Sequence, residues 1–348
     1  MPNVKSILND IEKLPLHQKE QILSTLKEIL VLGSRVSQVE QEVKEFRFSK
    51  GKVYPICSSE NISRNGKYNG KQNISANRAR KLLLTLLILQ PIKVRKHWIS
   101  GLNTLSVWLM ATLLEKSAEI VEINIATSFF WRHKILDCIN TFLGKGYVDD
   151  VVEADEVFFA KSFKGTKPSN MPRNSRKRGK QIKKRGISKE QVCIATAIDR
   201  QGNLIMELAC KGRITTNELE TLYDGHIRHD SILCTDNHKS YMQFANDLSL
   251  EHKRIKRGKH KEGLYHIQHI NAIHSNLKKW MNRFNGVATK YISNYIKWFK
   301  WLQIFDTDKE SVKAKNFMVQ SNVTHSYIKV KDLKNREPMY IYNILYIL

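Results

Sequence analysis

The sequence predicts an α/β protein: a mixed five-stranded sheet with helices on both faces, preceded by a helical region. Three observations predict it. Between residues 150 and 305, short runs rich in Val, Ile and Phe alternate with amphipathic stretches, in the order strand, strand, strand, helix, strand, helix, strand, helix. The segment Asp199-Arg200-Gln201-Gly202-Asn203 reads as a hairpin turn, so the opening strands pair antiparallel before the alternating units begin. A hydrophobic fraction of 41% supplies enough apolar side chains for a real core and excludes a chain disordered throughout.

Taken in order, residues 5 to 45 repeat apolar positions at helical spacing, with Ile7, Ile11, Ile22, Leu26 and Leu30 on one side. Residues 50 to 80 are polar and rich in Gly, Asn, Lys and Arg, as in loops or a small ribbon. Residues 95 to 145 read as helices. Within them Ser117 to Glu122, the break Ile123-Asn124-Ile125 and the following stretch from Ala126 to Lys134 fit a helix-turn-helix as well as a plain packed pair. In the first reading Arg132 and Lys134 lie near phosphates or base edges.

Val151 to Phe159 reads as the first strand of the sheet, and a basic linker follows from Lys161 to Gly186. Gln191 to Ile198 and Leu204 to Cys210 are the second and third strands. Thr216 to Tyr223 is a helix with Thr215 or Thr216 as its cap. Ser231 to Thr235 is the fourth strand, Lys239 to Asp247 a helix, and His252 to Ile255 a fifth strand. A long helical region runs from His269 to Phe305, with a break near Gly286. That order is the order of the ribonuclease-H-like fold.

The 348 residues suffice for two or three domains. A net charge of +25 and a pI of about 9.8 point to a polyanionic partner and supply the salt-sensitive part of nucleic-acid affinity. The five cysteines are scattered and show no disulfide or zinc spacing, which suits a reducing compartment. The start Met1-Pro2-Asn3-Val4 is no signal peptide, and the apolar run Leu82 to Leu89 falls short of the roughly 20 residues a bilayer needs. The expectation is a soluble cytoplasmic protein.

Asp155 lies on the first strand and Asp236 at the C-terminal end of the fourth, where α/β sheets place ligands. They are 236 − 155 = 81 residues apart, so only the fold brings them together. Two hard carboxylates at the centre of such a sheet can share Mg²⁺. A third element follows 271 − 236 = 35 residues on. On a helix Asn271, His274 and Lys278 share one side, beside the apolar Ile270, Ile273, Leu277 and Trp280. Asn271 offers a neutral amide oxygen to a metal, and Lys278 a point charge to a phosphate. By strand alternation Glu153 shares the face of Asp155 and Glu156 takes the other; Glu153 reads as a solvated neighbour or a reserve ligand. His266, His269 and His274 read as polar helix positions near nucleic acid rather than as metal ligands. Tyr291, Tyr295, Trp298 and Phe299 recur at helical spacing and read as core.

Four stretches carry a resemblance: VEADEVFFAKSFKG, the basic RKRGKQIKKRG, LCTDNHKSYMQFA, and HIQHINAIHSNLKKWMNRFNGVATKYISNYIKWFKWLQ. With them, residues 148–302 resemble the catalytic domain of bacterial insertion-sequence transposases, in the family numbered fifteen ninety-five. That family carries two Asp, then Asn or Glu, then Lys seven residues later. Asp155, Asp236, Asn271 and Lys278 fall on those positions, since 278 − 271 = 7. The resemblance implies a metal-dependent enzyme that cleaves transposon ends and joins them to target DNA, with Asp155, Asp236 and Asn271 holding Mg²⁺ or Mn²⁺. It implies double-stranded DNA as partner and a homo-oligomer on DNA. Apart from the resemblance, the basic linker with Arg176, Lys177, Arg178, Lys180, Lys183, Lys184 and Arg185 reads as a phosphate clamp or a solvated loop, and the second basic run with Arg254 and Arg257 as positioning DNA without reading its sequence.

Upstream the resemblance implies a zinc ribbon and then a helix-turn-helix, whose end WRHKIL matches at 131–136. The ribbon departs from the pattern. Its first Cys-x-x-Cys is Tyr54-Pro55-Ile56-Cys57, and the second falls on Ala76 and Ala79. One thiolate cannot hold a structural zinc, which takes about four ligands, so none is expected. The expected division is 1–48 helical, 49–80 degenerate ribbon, 81–147 helix-turn-helix, 148–305 catalytic, and 306–348 tail. The competing readings are an inactive transposase-derived DNA-binding protein and a nuclease of the same fold.

Overall fold

The computed structural model describes residues 4–23, 41–43, 45, 60–68, 71–76, 79–84, 114–120, 122–166, 168–172, 186–256, 261–323 and 328–341. The chain divides into two compact units, one of residues 1–105 with 314–323 and the other of 106–313 with 324–348.

The first unit contains helix α1 (Val4–Glu12) and an antiparallel meander of β1 (Ile62–Tyr68), β2 (Lys71–Ala76) and β3 (Ala79–Leu84). These strands run to residue 84, past the boundary at 80 expected for the ribbon-like segment. Ala76 and Ala79 face each other across the β2–β3 turn, and an alanine side chain offers no metal ligand. Cys57 lies outside the described residues. Helix Glu310–Val323 contributes residues 314–323 to this unit, where Phe317 and Met318 are buried and Lys315 pairs with Glu42 at 2.6 Å.

The second unit is built on β4 (Val151–Ala160), β5 (Gln191–Asp199), β6 (Leu204–Lys211), β7 (Ile232–Thr235) and β8 (Glu251–Arg254), in the order β6-β5-β4-β7-β8. β4, β5 and β6 are antiparallel neighbours, whereas β4, β7 and β8 run parallel. Parallel pairing needs a crossover, and the crossovers are α4 (Thr216–Tyr223) and α5 (Lys239–Asp247). Thr215 and Glu218 form the capping box that starts α4. Five strands in this mixed order make the ribonuclease-H-like sheet that the sequence predicts.

One face of the sheet carries Val152, Ala154, Cys193, Ala195 and Ala197, packed on Leu219, Leu222, Tyr223, Tyr241 and Phe244 of α4 and α5. The other face is covered by α6 (Gln268–Asn282) and α7 (Ile292–Ile304), with α3 (Ile125–Leu143) against α7. The break predicted at Gly286 is real: its φ is +94°, which glycine adopts without penalty. Trp280, Phe284, Tyr295, Trp298 and Phe299 meet between α6 and α7 with ring centroids 4.8 to 6.2 Å apart, so the aromatic positions are core as predicted.

The helix pair before the sheet is present, as α2 (Leu114–Ile120) and α3, with Asn124 capping α3 through Ala126 N–H at 2.8 Å. Trp131 to Leu136 and on to Ile139 are almost wholly buried, Lys134 being the half-buried exception. Arg132, at 1% exposure, donates to Ser117 Oγ at 3.2 Å and lies 5.4 Å from the Trp298 ring. This corrects the expectation that Arg132 reaches DNA: its guanidinium is spent inside the unit, on α2 and α7. The unit also begins at 106, so α2 and α3 belong with the sheet.

The segment expected to be a tail is folded as well. In residues 328–341, Leu333 and Tyr340 are buried, and Ile341 joins the sheet core. Arg336 makes a two-pronged ion pair with Asp137 at 2.7 and 2.8 Å. Among the described residues, no helix is long and apolar enough to cross a membrane.

Candidate metal centre

β4 and β7 pair in parallel with Val151 opposite Ile232, Val152 opposite Leu233 and Glu153 opposite Cys234. The register offset is 232 − 151 = 81. Asp155 and Asp236 are separated by the same number, 236 − 155 = 81, so the offset carried forward sets them side by side where β7 ends. Asp155 has 23% of its side chain exposed, and Asp236 is exposed just past the strand. Asp236 Oδ1 accepts from the His238 N–H at 3.0 Å, which fixes the turn into α5.

The electrostatics express that proximity. Burial pushes the Asp155 carboxyl up to about 6, and the negative charge of Asp236 adds to the rise; the Lys278 ammonium and the Glu156 backbone N–H oppose it. Glu156 turns to the other face, toward Tyr223 and Tyr241, where burial and then the charge of Asp155 push it to about 8. It is therefore neutral at pH 7 and adds no charge to the pair.

His274 sits on the β5 side of Asp155. Thr196, the cross-strand partner of Asp155, donates its single hydroxyl proton to the Asp155 carbonyl oxygen at 2.8 Å. The 2.5 Å contact between Thr196 Oγ1 and His274 Nε2 then has the imidazole N–H donating. Burial, with help from Lys278, holds His274 down to about 4, so the ring is neutral and Nδ1 bears a lone pair. That lone pair faces Asp155 Oδ2 at 3.6 Å. A carboxylate oxygen and an imidazole lone pair thus face each other, with the charge of Asp236 close enough to act on the same carboxylate, chemistry that suits a divalent cation. His274 was expected to be a polar helix position near DNA; it is instead a buried neighbour of Asp155.

Asn271 and Lys278 are exposed on α6, one turn before and one after His274. The charge of Lys278 acts on both Asp155 and His274. Asn271 is joined to its surroundings by its backbone, N–H to Ile267 O at 3.3 Å, and its side chain faces solvent.

Glu153 was expected to be a solvated neighbour and is the reverse, with 1% exposure. Its Oε1 lies 2.7 Å from Arg200 Nη1, 3.1 Å from His266 Nδ1 and 3.0 Å from His269 Nδ1, and its Oε2 accepts the Ile270 N–H at 3.1 Å. Glu153, His266 and His269 present ligand atoms within 4.8 Å of one another, the one such cluster of three among the described residues. Alternation already put Glu153 on the Asp155 face; no sequence signal tied it to Arg200, 47 residues away.

The linker residues Arg176, Lys177, Arg178, Lys180, Lys183, Lys184 and Arg185, and Arg257 of the second basic run, lie outside the described residues. Arg254 is exposed at the end of β8.

Residues 147–303 match the family model described as ISXO2-like transposase domain. A crystal structure of a pre-cleavage Mos1 transpososome aligns over 68% of this chain and 82% of that chain, with 15% identity and a TM-score of 0.22. Among curated proteins nothing matches the chain.

Proposed function

Because residues 147–303 belong to the ISXO2-like transposase family, we propose that the chain is a DNA transposase that cleaves transposon ends and transfers them to target DNA with divalent metal. The observation that supports the reading is the position of Asp155 on β4 and of Asp236 just past the end of β7, its parallel neighbour, at the same offset of 81 residues as the paired strands. Their coupled charges give a centre that gains from a bound cation.

Asp155 and Asp236 would hold Mg²⁺ or Mn²⁺, with Asn271 completing the set by resemblance and the lone pair of His274 within reach of the same place. Such ions lower the pKa of a bound water or DNA 3′-hydroxyl and offset charge on the leaving oxygen. The chain's own groups do the rest. Lys278 sets a fixed positive charge beside the carboxylates, where a phosphate oxygen would approach. Thr196 ties the β4 backbone at Asp155 to the His274 ring. The basic linker, with Arg254 and Arg257, would neutralise DNA phosphates and position the duplex without reading its sequence. No covalent protein–DNA intermediate is part of this scheme, since water and a 3′-hydroxyl are the nucleophiles.

The test is strand joining by the purified chain on duplexes carrying the terminal inverted repeats that flank its gene, with Mg²⁺ or Mn²⁺. Joining by the wild type that is lost in Asp155→Ala is expected. Specific end binding without cleavage under either metal would favour a DNA-binding derivative, and cleavage without joining a nuclease of the same fold.

A further inference from the structure

The cluster around Glu153 holds a filled cation position. Arg200 Nη1 lies 2.7 Å from Glu153 Oε1, 2.9 Å from His266 Nε2 and 2.9 Å from His269 Nδ1. The point on which a carboxylate and two imidazoles converge is thus taken by a guanidinium nitrogen. A divalent ion there would have to expel a permanent positive charge from beside a carboxylate that is 1% exposed.

Two features of the chain deliver Arg200 to that point. The β5–β6 turn is locked by Asp199, whose Oδ1 accepts from Gln201 N–H and Asn203 N–H at 2.9 Å each and whose Oδ2 accepts from Asn203 Nδ2 at 2.8 Å. Gly202, at φ +88°, closes the turn. Arg200 projects from this rigid corner across to β4.

The other end of the clamp is a helix terminus. The N-cap residue of α6, Ile267, makes no side-chain capping bond. The Ile270 N–H, one of the orphan donors of the first turn, goes to Glu153 Oε2 at 3.1 Å. A carboxylate from the sheet therefore does what a local Ser or Asp does elsewhere, and its charge complements the helix dipole. Glu153 stands two residues before Asp155 on β4, and Ile270 one turn before His274 on α6. The bond fixes how far α6 slides along β4, and so where His274 and Lys278 stand relative to Asp155.

We propose that Glu153, braced by Arg200, is a positioning residue that caps α6 from the sheet and sets the axial register between the helix bearing Asn271, His274 and Lys278 and the strand bearing Asp155. This inference rests on the transposase reading for its consequence, since misplacement by about 1 Å can cost 10²-fold in rate. Its geometry does not depend on that reading.

The experiment compares wild type, Glu153→Gln, Glu153→Ala and Arg200→Ala as full chains. Amide hydrogen exchange is followed at Ile270 to His274 and, as a reference, along Gln191 to Asp199. Glu153→Ala is expected to speed exchange at Ile270 about tenfold or more with β5 unchanged. Glu153→Gln, which keeps an acceptor oxygen, should give a smaller effect in the same place. In strand joining, Glu153→Gln should lower kcat by about tenfold or more and leave the DNA KM unchanged. Unchanged exchange at Ile270, or acceleration spread evenly over the unit, would overturn the proposal. So would Zn²⁺ binding by wild type that is lost in His266→Ala and His269→Ala, because Arg200 would then not be the resident cation. A wild type that neither cleaves nor joins would sink the transposase reading alone, and the exchange data would still decide this one.

Discussion

Asp155→Asn should make the protein more stable while removing its activity. The carboxyl titrates at 3.8 unperturbed and at about 6 in the fold, burial being the main cause and Asp236 the next charge to raise it. Each tenfold change in proton affinity is worth about 1.4 kcal/mol, so ionised Asp155 costs the folded chain about 3 kcal/mol relative to the unfolded one. The sign is that of a raised acid. Between the unfolded and folded pKa the native state holds more protons, so stability falls as pH rises from about 4 to about 6 and stays low above. An asparagine has no charge to desolvate. At about pH 8 without metal, Asp155→Asn should gain between about 1 and 3 kcal/mol, and the fall across the acid window should shrink by the same amount. Urea unfolding followed by tryptophan fluorescence reads this directly, since Trp280, Trp298 and Trp301 are buried in the sheet unit. Mg²⁺ at about one hundred times its Kd should stabilise the wild type by about 2.7 kcal/mol and the variant by much less. A variant less stable than wild type near pH 8, or one that Mg²⁺ stabilises equally, would refute the argument that this carboxylate is strained until a cation joins it.

Two further outcomes follow from the same structure. Glu156→Gln should remove a second fall in stability, between about pH 5 and pH 8, because the folded carboxyl is held near 8 by burial and then by Asp155; pH-dependent urea midpoints check it. Lys297→Met should destabilise by about 3 to 5 kcal/mol, because Lys297 and Glu207 are an ion pair with only 4% and 10% of their side chains exposed, and Glu207 would be left uncompensated. Replacing both partners by apolar residues should recover most of that loss, and the comparison of single and double variants by urea unfolding checks it.

The sheet was legible because β4 to β7 are runs rich in apolar residues and bounded by turn residues, whereas β8 is Glu-His-Lys-Arg and is marked by its place after α5. The Asp199-to-Asn203 turn announces its role in the sequence, and the cap left open between Thr215 and Thr216 falls on Thr215. Asp155 and Asp236 were legible for the same reason: strand order is written locally, and it sets which strands become neighbours. Arg132, Glu153 and His274 were not. A charged residue on a helix or strand reads as solvated, since burying it alone is unfavourable. Each of these is buried with partners from distant segments: Ser117 and Trp298 for Arg132, Arg200 and Ile270 for Glu153, Thr196 and Asp155 for His274.

The sequence by itself therefore determined the element order, the placement of Asp155 on one central strand and Asp236 just past the end of its neighbour, and the resemblance over 148–302, because these depend on local periodicity and on residue types at fixed spacing. The tertiary structure alone decided which polar groups are inside. It folded residues 328–341 onto the sheet unit, turned α3 inward and closed a carboxylate–guanidinium clamp beneath the helix that carries His274 and Lys278. The physical reason is that the burial of a charge is set by partners tens of residues away, and those partners exist only once the chain has packed.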